Sequence, residues 1–237
     1  MGHTAAPQPA STDLRGIAPR LCGRSQPRRY DIDALDFAGS YVAEDTVLAT
    51  ARARAAELGL APVAPGLGAA LRMLAAAASA KAVVEVGTGT GVSGVWLLRG
   101  MRPDGVLTTI DVETEHQRQA RKTFVEAGFA PGRTRIIAGR ALDVLPRLAD
   151  TAYDLIFVDA EPVEYAAYLA EAYRLLRAGG MLALAGILAG GRVGDATARD
   201  PDSVTLREIL KTVRDADEWT PALLPAGDGL LCAVKRG

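Results

Sequence analysis

The run Glu85-Val86-Gly87-Thr88-Gly89-Thr90-Gly91-Val92-Ser93 constrains this chain more than any other. It follows a short apolar stretch, Ala82 to Val86, that reads as a buried strand, and it leads into a helical pattern from Val92 to Met101. Glycines at three alternate positions permit a tight turn and let a ligand approach the backbone with no Cβ in the way. The helix that follows offers unpaired N–H groups at its start, with the Ser93 hydroxyl beside them, so a carboxylate or phosphate is expected there. Asp111 closes the next β-rich run, twenty residues after Gly91, where a carboxylate can take both hydroxyls of a ribose. A nucleoside carrying a nearby anion is the ligand this arrangement implies.

The rest of the chain supplies the sheet that such a loop needs. From Ala82 onward β-rich and helical runs alternate: strands at Ala82 to Val86, Val106 to Ile110, Arg135 to Ala138, Asp154 to Val158 and Met181 to Leu184, with helices at Val92 to Met101, Glu113 to Ala127, Leu142 to Leu148 and Val163 to Leu176. That alternation predicts a mostly parallel α/β sheet covered on both faces. After a loop from Ile187 to Pro201 and a helix from Ser203 to Asp215, the runs Pro221 to Leu224 and Leu230 to Lys235 flank Asp228-Gly229, which suggests a tight hairpin and one antiparallel strand. Ahead of the alternation, helices are expected at Val42 to Leu58 and Gly66 to Ala80. Residues 1–38, broken by Pro7, Pro9, Pro19 and Pro27, read as a mobile arm carrying the cluster Arg24, Arg28, Arg29, and residues 39–237 as one domain.

Composition narrows the function classes. With 27 Lys and Arg against 28 Asp and Glu, the net charge of -1 argues against a nucleic-acid binder held by phosphate contacts. Two cysteines, Cys22 and Cys232, and two histidines, His3 and His116, give a zinc site almost nothing to work with. The most apolar stretch, Leu74 to Val86, contains Lys81 and is too short to span a bilayer, and the N-terminus has no secretory pattern, so a cytoplasmic location is the default.

The glycine pattern also satisfies Gly89-x-Gly91-x-x-Gly94, so by itself it does not separate a nicotinamide dinucleotide from other adenosine cofactors. Glu85 favours the latter. A carboxylate two residues before the first glycine repels a pyrophosphate and suits a ligand that bears an ammonium. No Gly-x-x-x-x-Gly-Lys-Ser/Thr run exists.

Taken with Thr109-Ile110-Asp111 and four further motifs, the loop resembles the S-adenosylmethionine-dependent O-methyltransferases of the caffeoyl-CoA and catechol type. The motifs are Tyr153-Asp154-Leu155-Ile156-Phe157-Val158-Asp159-Ala160, Leu175-Leu176-Arg177-Ala178-Gly179-Gly180, Gly190-Gly191-Arg192-Val193 and Gly227-Asp228-Gly229. The resemblance runs from about Val42 to the C-terminus. It implies a Rossmann-like class I methyltransferase fold with a seven-stranded sheet and extra N-terminal helices, S-adenosyl-L-methionine as cofactor, a small-molecule acceptor and a homodimer. It also implies that Glu85, Gly87, Thr88 and Ser93 hold the methionine end, with Gly89 and Gly91 of the same loop among the cofactor-binding residues, Asp111 the ribose, and Gly139, Arg140 and Ala141 the adenine edge. Val63 closes over the cofactor and Val158 supports it from the fourth strand. At Arg140 this chain departs from the acidic residue common in the family.

A larger departure concerns catalysis. In the resembled family a divalent cation binds the acceptor oxygens and lowers their pKa, held by the Asp after the fourth strand and an Asp-Asn pair after the fifth. Here the first ligand survives as Asp159, whereas the pair aligns with Ala185-Gly186, the family's Lys with Pro162 and its pocket Trp with Ala189. A metal-independent site is the expectation, with Asp159 as base; Glu161, Glu164 and Tyr165 follow it in the same loop and turn, and Glu161 is the one substitute ligand. His116 is expected to face solvent or the adenine, and Trp96 and Tyr168 to be core. Two other classes stay open: a cofactor-binding protein that has shed catalysis, and a nicotinamide-dependent oxidoreductase.

Overall fold

The structure is a computed structural model that describes residues 32–237. Strands β1 (Ala82–Val86), β2 (Val106–Asp111), β3 (Thr134–Ala138), β4 (Tyr153–Val158), β5 (Leu176–Leu184), β6 (Trp219–Leu224) and β7 (Leu230–Lys235) form one sheet in the order β3-β2-β1-β4-β5-β7-β6. β7 lies between β5 and β6 and runs antiparallel to both; the other pairings are parallel. This is the expected doubly wound α/β sheet with one reversed strand.

Side chains alternate across the sheet and feed two apolar layers. Val84, Val86, Ile156, Val158, Leu182 and Leu184 face α6 (Ala141–Val144), α7 (Tyr165–Leu175) and α8 (Pro201–Asp215). Val83, Leu155, Phe157 and Ala183 face α2 (Thr46–Glu57), α3 (Pro65–Ala77), α4 (Val92–Gly100) and α5 (Thr114–Glu126). Capping fixes the helix starts: Asp45 accepts from the Leu48 amide at 3.1 Å, Asp200 accepts from the Ser203 amide at 3.0 Å, and Pro65 and Pro201 occupy first-turn positions. Among the described residues no helix is long and apolar enough to cross a membrane.

Several expectations need correction. A helix α1 (Ile32–Ser40) begins inside the segment read as an arm. Its apolar side chains Leu35 and Phe37 are exposed, so no buried stripe announced it; it docks where Gly39 meets Gly66 of α3, a Cβ on Gly66 falling 2.8 Å from the Gly39 Cα. Positions 1–31, with Cys22, His3 and the cluster Arg24, Arg28, Arg29, lie outside the described residues. α2 starts at Thr46 and not at Val42, because Asp45 caps it. Strand β5 begins at Leu176, with a shift of register against β4 between Tyr153 and Leu155. The Asp228-Gly229 pair is no two-residue hairpin turn: five residues separate β6 from β7. Asp228 turns outward, accepting from the Gly190 amide at 2.8 Å and, through its carbonyl, from the Leu188 amide at 2.9 Å.

Candidate active site

The carboxyl ends of β1, β2, β3 and β4 open onto a cleft of about 690 Å³, within the range of small-molecule sites. One wall is the segment Leu60 to Val63 between α2 and α3. The glycine loop is its floor, and the turn from Asp159 to Val163 bounds the opposite side. Of the residues expected to bind cofactor or act in catalysis, Val63, Gly87, Thr88, Gly89, Ser93, Asp111, Gly139, Arg140, Ala141 and Asp159 line this cleft. Glu85, Gly91 and Val158 do not. Gly91 caps α4 with φ +88°, and Val158 is packed in the core behind β4.

Glu85 lies beneath the loop, 0 % exposed. Its Oε1 accepts from the Ser93 hydroxyl at 2.6 Å and its Oε2 from the Thr109 hydroxyl at 2.6 Å; Thr109 in turn is 2.7 Å from the Thr88 hydroxyl. The carboxylate therefore reaches the cleft through Ser93 and not directly. Burial pushes its pKa up to about 7 against the lowering effect of those two hydroxyls, with Asp159 and Asp111 adding repulsion. Thr109 belongs to the motif Thr109-Ile110-Asp111, but the sequence assigns it no role of its own. The signal that could have found it is its place two residues before Asp111; in the structure it is in register with Glu85 on the neighbouring strand.

Asp111 is held from two sides. Its Oδ2 accepts from the Gly89 amide and its Oδ1 from the Glu113 amide, both at 2.9 Å, and each oxygen keeps a lone pair for a ligand. Gly89 has φ +49° and faces open space, so the loop stays low enough to admit that ligand. His116 lies on the cleft, its Nδ1 3.4 Å from Asp111 Oδ1. At the far end Arg140 donates to Glu164 Oε1 at 2.9 Å, and Tyr168, expected as core, is buried but also lines the cleft and donates its hydroxyl to Glu164.

Asp159 follows β4, lines the cleft as an exposed residue and, among the described residues, makes no hydrogen bond or ion pair from its side chain. The surrounding protein raises its pKa by desolvation. Tyr165 is excluded as a base: its hydroxyl is buried, donates to the Ala185 carbonyl at 2.9 Å, and has its pKa pushed up by that burial. Ala185 and Gly186 present no side-chain oxygen, and among the described residues no three His, Cys, Asp or Glu side chains gather into a metal site. The residues present do not fit the cation of the resembled family. The loop from Ile187 to Pro201 does not line the cleft either. Arg207 of α8 ties that loop down through the carbonyls of Arg192, Val193, Asp195 and Ala198.

Residues 39–236 match the family model described as O-methyltransferase. A Mycobacterium marinum protein named as an O-methyltransferase is 51% identical over 213 residues, covering 90% of this chain and 95% of its own length. A Corynebacterium glutamicum protein structure superposes with a TM-score of 0.80 at 35% identity, covering 86% of this chain and 98% of its own. The O-methyltransferase TomG of Streptomyces achromogenes, involved in tomaymycin synthesis and solved in complex with S-adenosylmethionine, superposes with a TM-score of 0.77 at 29% identity. That match covers 90% of this chain and all of TomG.

Proposed function

Because the chain belongs to the O-methyltransferase family, we propose that it transfers the methyl group of S-adenosylmethionine to a hydroxyl of a small molecule, without a divalent cation. The observation that carries this reading is the convergence of Ser93, Asp111 and Asp159, from three separate elements, on one cleft. TomG, similar over its whole length, supports the choice of cofactor.

When bound, the cofactor supplies a methyl group on a sulfonium, so the chain has to align donor with acceptor and remove the acceptor's proton. Asp111 takes the ribose hydroxyls, already oriented by the Gly89 and Glu113 amides. The first amides of α4, that of Ser93 among them, receive the methionine carboxylate, while the Ser93 hydroxyl, whose proton goes to Glu85, presents its oxygen to the ammonium. Gly139, Arg140 and Ala141 border the adenine. Asp159 accepts the acceptor's proton on a carboxylate oxygen. Its raised pKa narrows the gap to the hydroxyl it must deprotonate. A homodimer comes with the family resemblance, and sedimentation equilibrium of the full chain tests it.

Calorimetric titration of S-adenosylmethionine and S-adenosylhomocysteine, with EDTA and with Mg²⁺, tests the reading. Micromolar binding indifferent to metal is expected, followed by methyl transfer to a hydroxyl acceptor. No binding of either compound overturns it. A second reading, a protein that binds the cofactor and has shed catalysis, is favoured by Pro162 and Ala185-Gly186 standing where the family has Lys and Asp-Asn. Binding without turnover across phenols, catechols and acyl-CoA thioesters selects it. NADH fluorescence titration, expected to be silent, tests the oxidoreductase alternative.

A further inference from the structure

The wall of the cleft, Leu60 to Val63, contains Pro62, which has no amide proton to offer a neighbour, and leads into α3 at Pro65. One side chain holds its carbonyls. Arg52 of α2 donates Nη1 to the Pro62 oxygen at 3.3 Å and Nη2 to the Val63 oxygen at 2.5 Å. The same guanidinium forks onto Glu44, Nε to Oε2 at 2.5 Å and Nη2 to Oε1 at 2.8 Å. Glu44 Oε1 also accepts from the Trp96 indole at 3.3 Å. Trp96 is buried on α4, one turn beyond Ser93, with its ring against Gly68 of α3.

These contacts make a continuous strut from the wall of the cleft, through Arg52 and Glu44, to the helix that carries its floor. A second tie runs beside it, the Thr90 hydroxyl donating to the Ala51 carbonyl at 2.9 Å. We infer that Arg52 and Glu44 are positioning residues that fix the separation of Val63 from Ser93 and so set the affinity for the cofactor without touching it. The inference rests on the cofactor reading above. An exposed ion pair contributes little, but here a planar fork bridges one carboxylate and two carbonyls, which the single ammonium of a lysine does not reproduce.

The test compares Arg52→Lys, Glu44→Gln and Arg174→Lys. Arg174 is the matched control: it likewise bridges two carbonyls, of Leu145 and Leu148, and two carboxylates, of Glu171 and Asp150, none of which lines the cleft. Arg52→Lys and Glu44→Gln are expected to raise the calorimetric Kd for S-adenosylhomocysteine about tenfold. They leave kcat at saturating cofactor within about twofold, the pattern of lost uniform binding. Arg174→Lys is expected to lower Tm with Kd unchanged. Wild-type Kd in both Arg52→Lys and Glu44→Gln, or an equal rise in Arg174→Lys, overturns the inference. Failure of the wild-type chain to bind S-adenosylhomocysteine overturns the cofactor reading instead.

Discussion

Gly87 abuts the backbone of Asp159: a Cβ at Gly87 would stand 2.2 Å from the Asp159 carbonyl oxygen. The Asp159 amide donates to the Val86 carbonyl at 2.9 Å, so the loop after β1 and the carboxylate after β4 are one backbone unit. Gly87 also has φ +94°, a region closed to side chains. Gly87→Ala is therefore expected to cost about 2 kcal/mol or more in urea unfolding. It should also displace Asp159 and abolish calorimetric binding of S-adenosylhomocysteine.

If Asp159 takes the acceptor's proton, Asp159→Asn keeps the shape and removes the base. A fall in kcat of about 10²- to 10⁴-fold is expected, with the Kd for S-adenosylhomocysteine changed far less. A base works only when ionised, so kcat/KM falls as pH drops through the Asp159 pKa. Because desolvation raises that pKa, the fall begins above the ordinary carboxylate range. A steady-state pH profile measures both.

Glu85 links the same site to stability. With its folded pKa raised to about 7 from an ordinary 4.5, the native state holds a proton that the unfolded chain releases. The contribution of Glu85 is then full below about pH 4.5 and is lost as pH rises toward 7, by roughly 3 kcal/mol at most. Carboxylates with lowered pKa values, such as Asp45 and Asp154, act in the opposite sense, so the comparison must be made against Glu85→Gln. Urea unfolding at pH 5 and pH 8 should show the wild type losing stability relative to that variant at the higher pH.

Local pattern made much of this protein legible. Gly87 and Gly89 of the alternating glycines, Asp111 at a strand end and Asp159 after Val158 each follow from two-residue periodicity and a turn, and all of them reach the cleft. Contacts between distant segments left no such trace. Arg52 meets the wall, and Glu44 meets Arg52, across turns that no spacing rule predicts, and Thr109 finds Glu85 only because β2 lies beside β1. Helix α1 stayed hidden because its close contact with α3 is made by a glycine, which carries no hydrophobic signal. Asp228-Gly229 misled for a related reason: its carboxylate serves another loop, not its own turn.

The metal prediction follows from what surrounds Asp159. Mg²⁺ demands near-octahedral oxygen ligation and gives up its water reluctantly, so one carboxylate holds it weakly. At the two positions where the resembled family places an Asp-Asn pair, this chain has the buried Ala185, whose carbonyl is occupied by the Tyr165 hydroxyl, and Gly186. Dialysis against EDTA is therefore expected to leave kcat within about twofold, and titrated Mg²⁺ to give no saturable heat at millimolar concentration. The contrary result, inactivation by EDTA reversed by Mg²⁺, would mean that Glu161 or the acceptor's own oxygens complete a site. Asp159 would then be a ligand, and the proton would leave a metal-bound hydroxyl whose pKa the cation had already lowered.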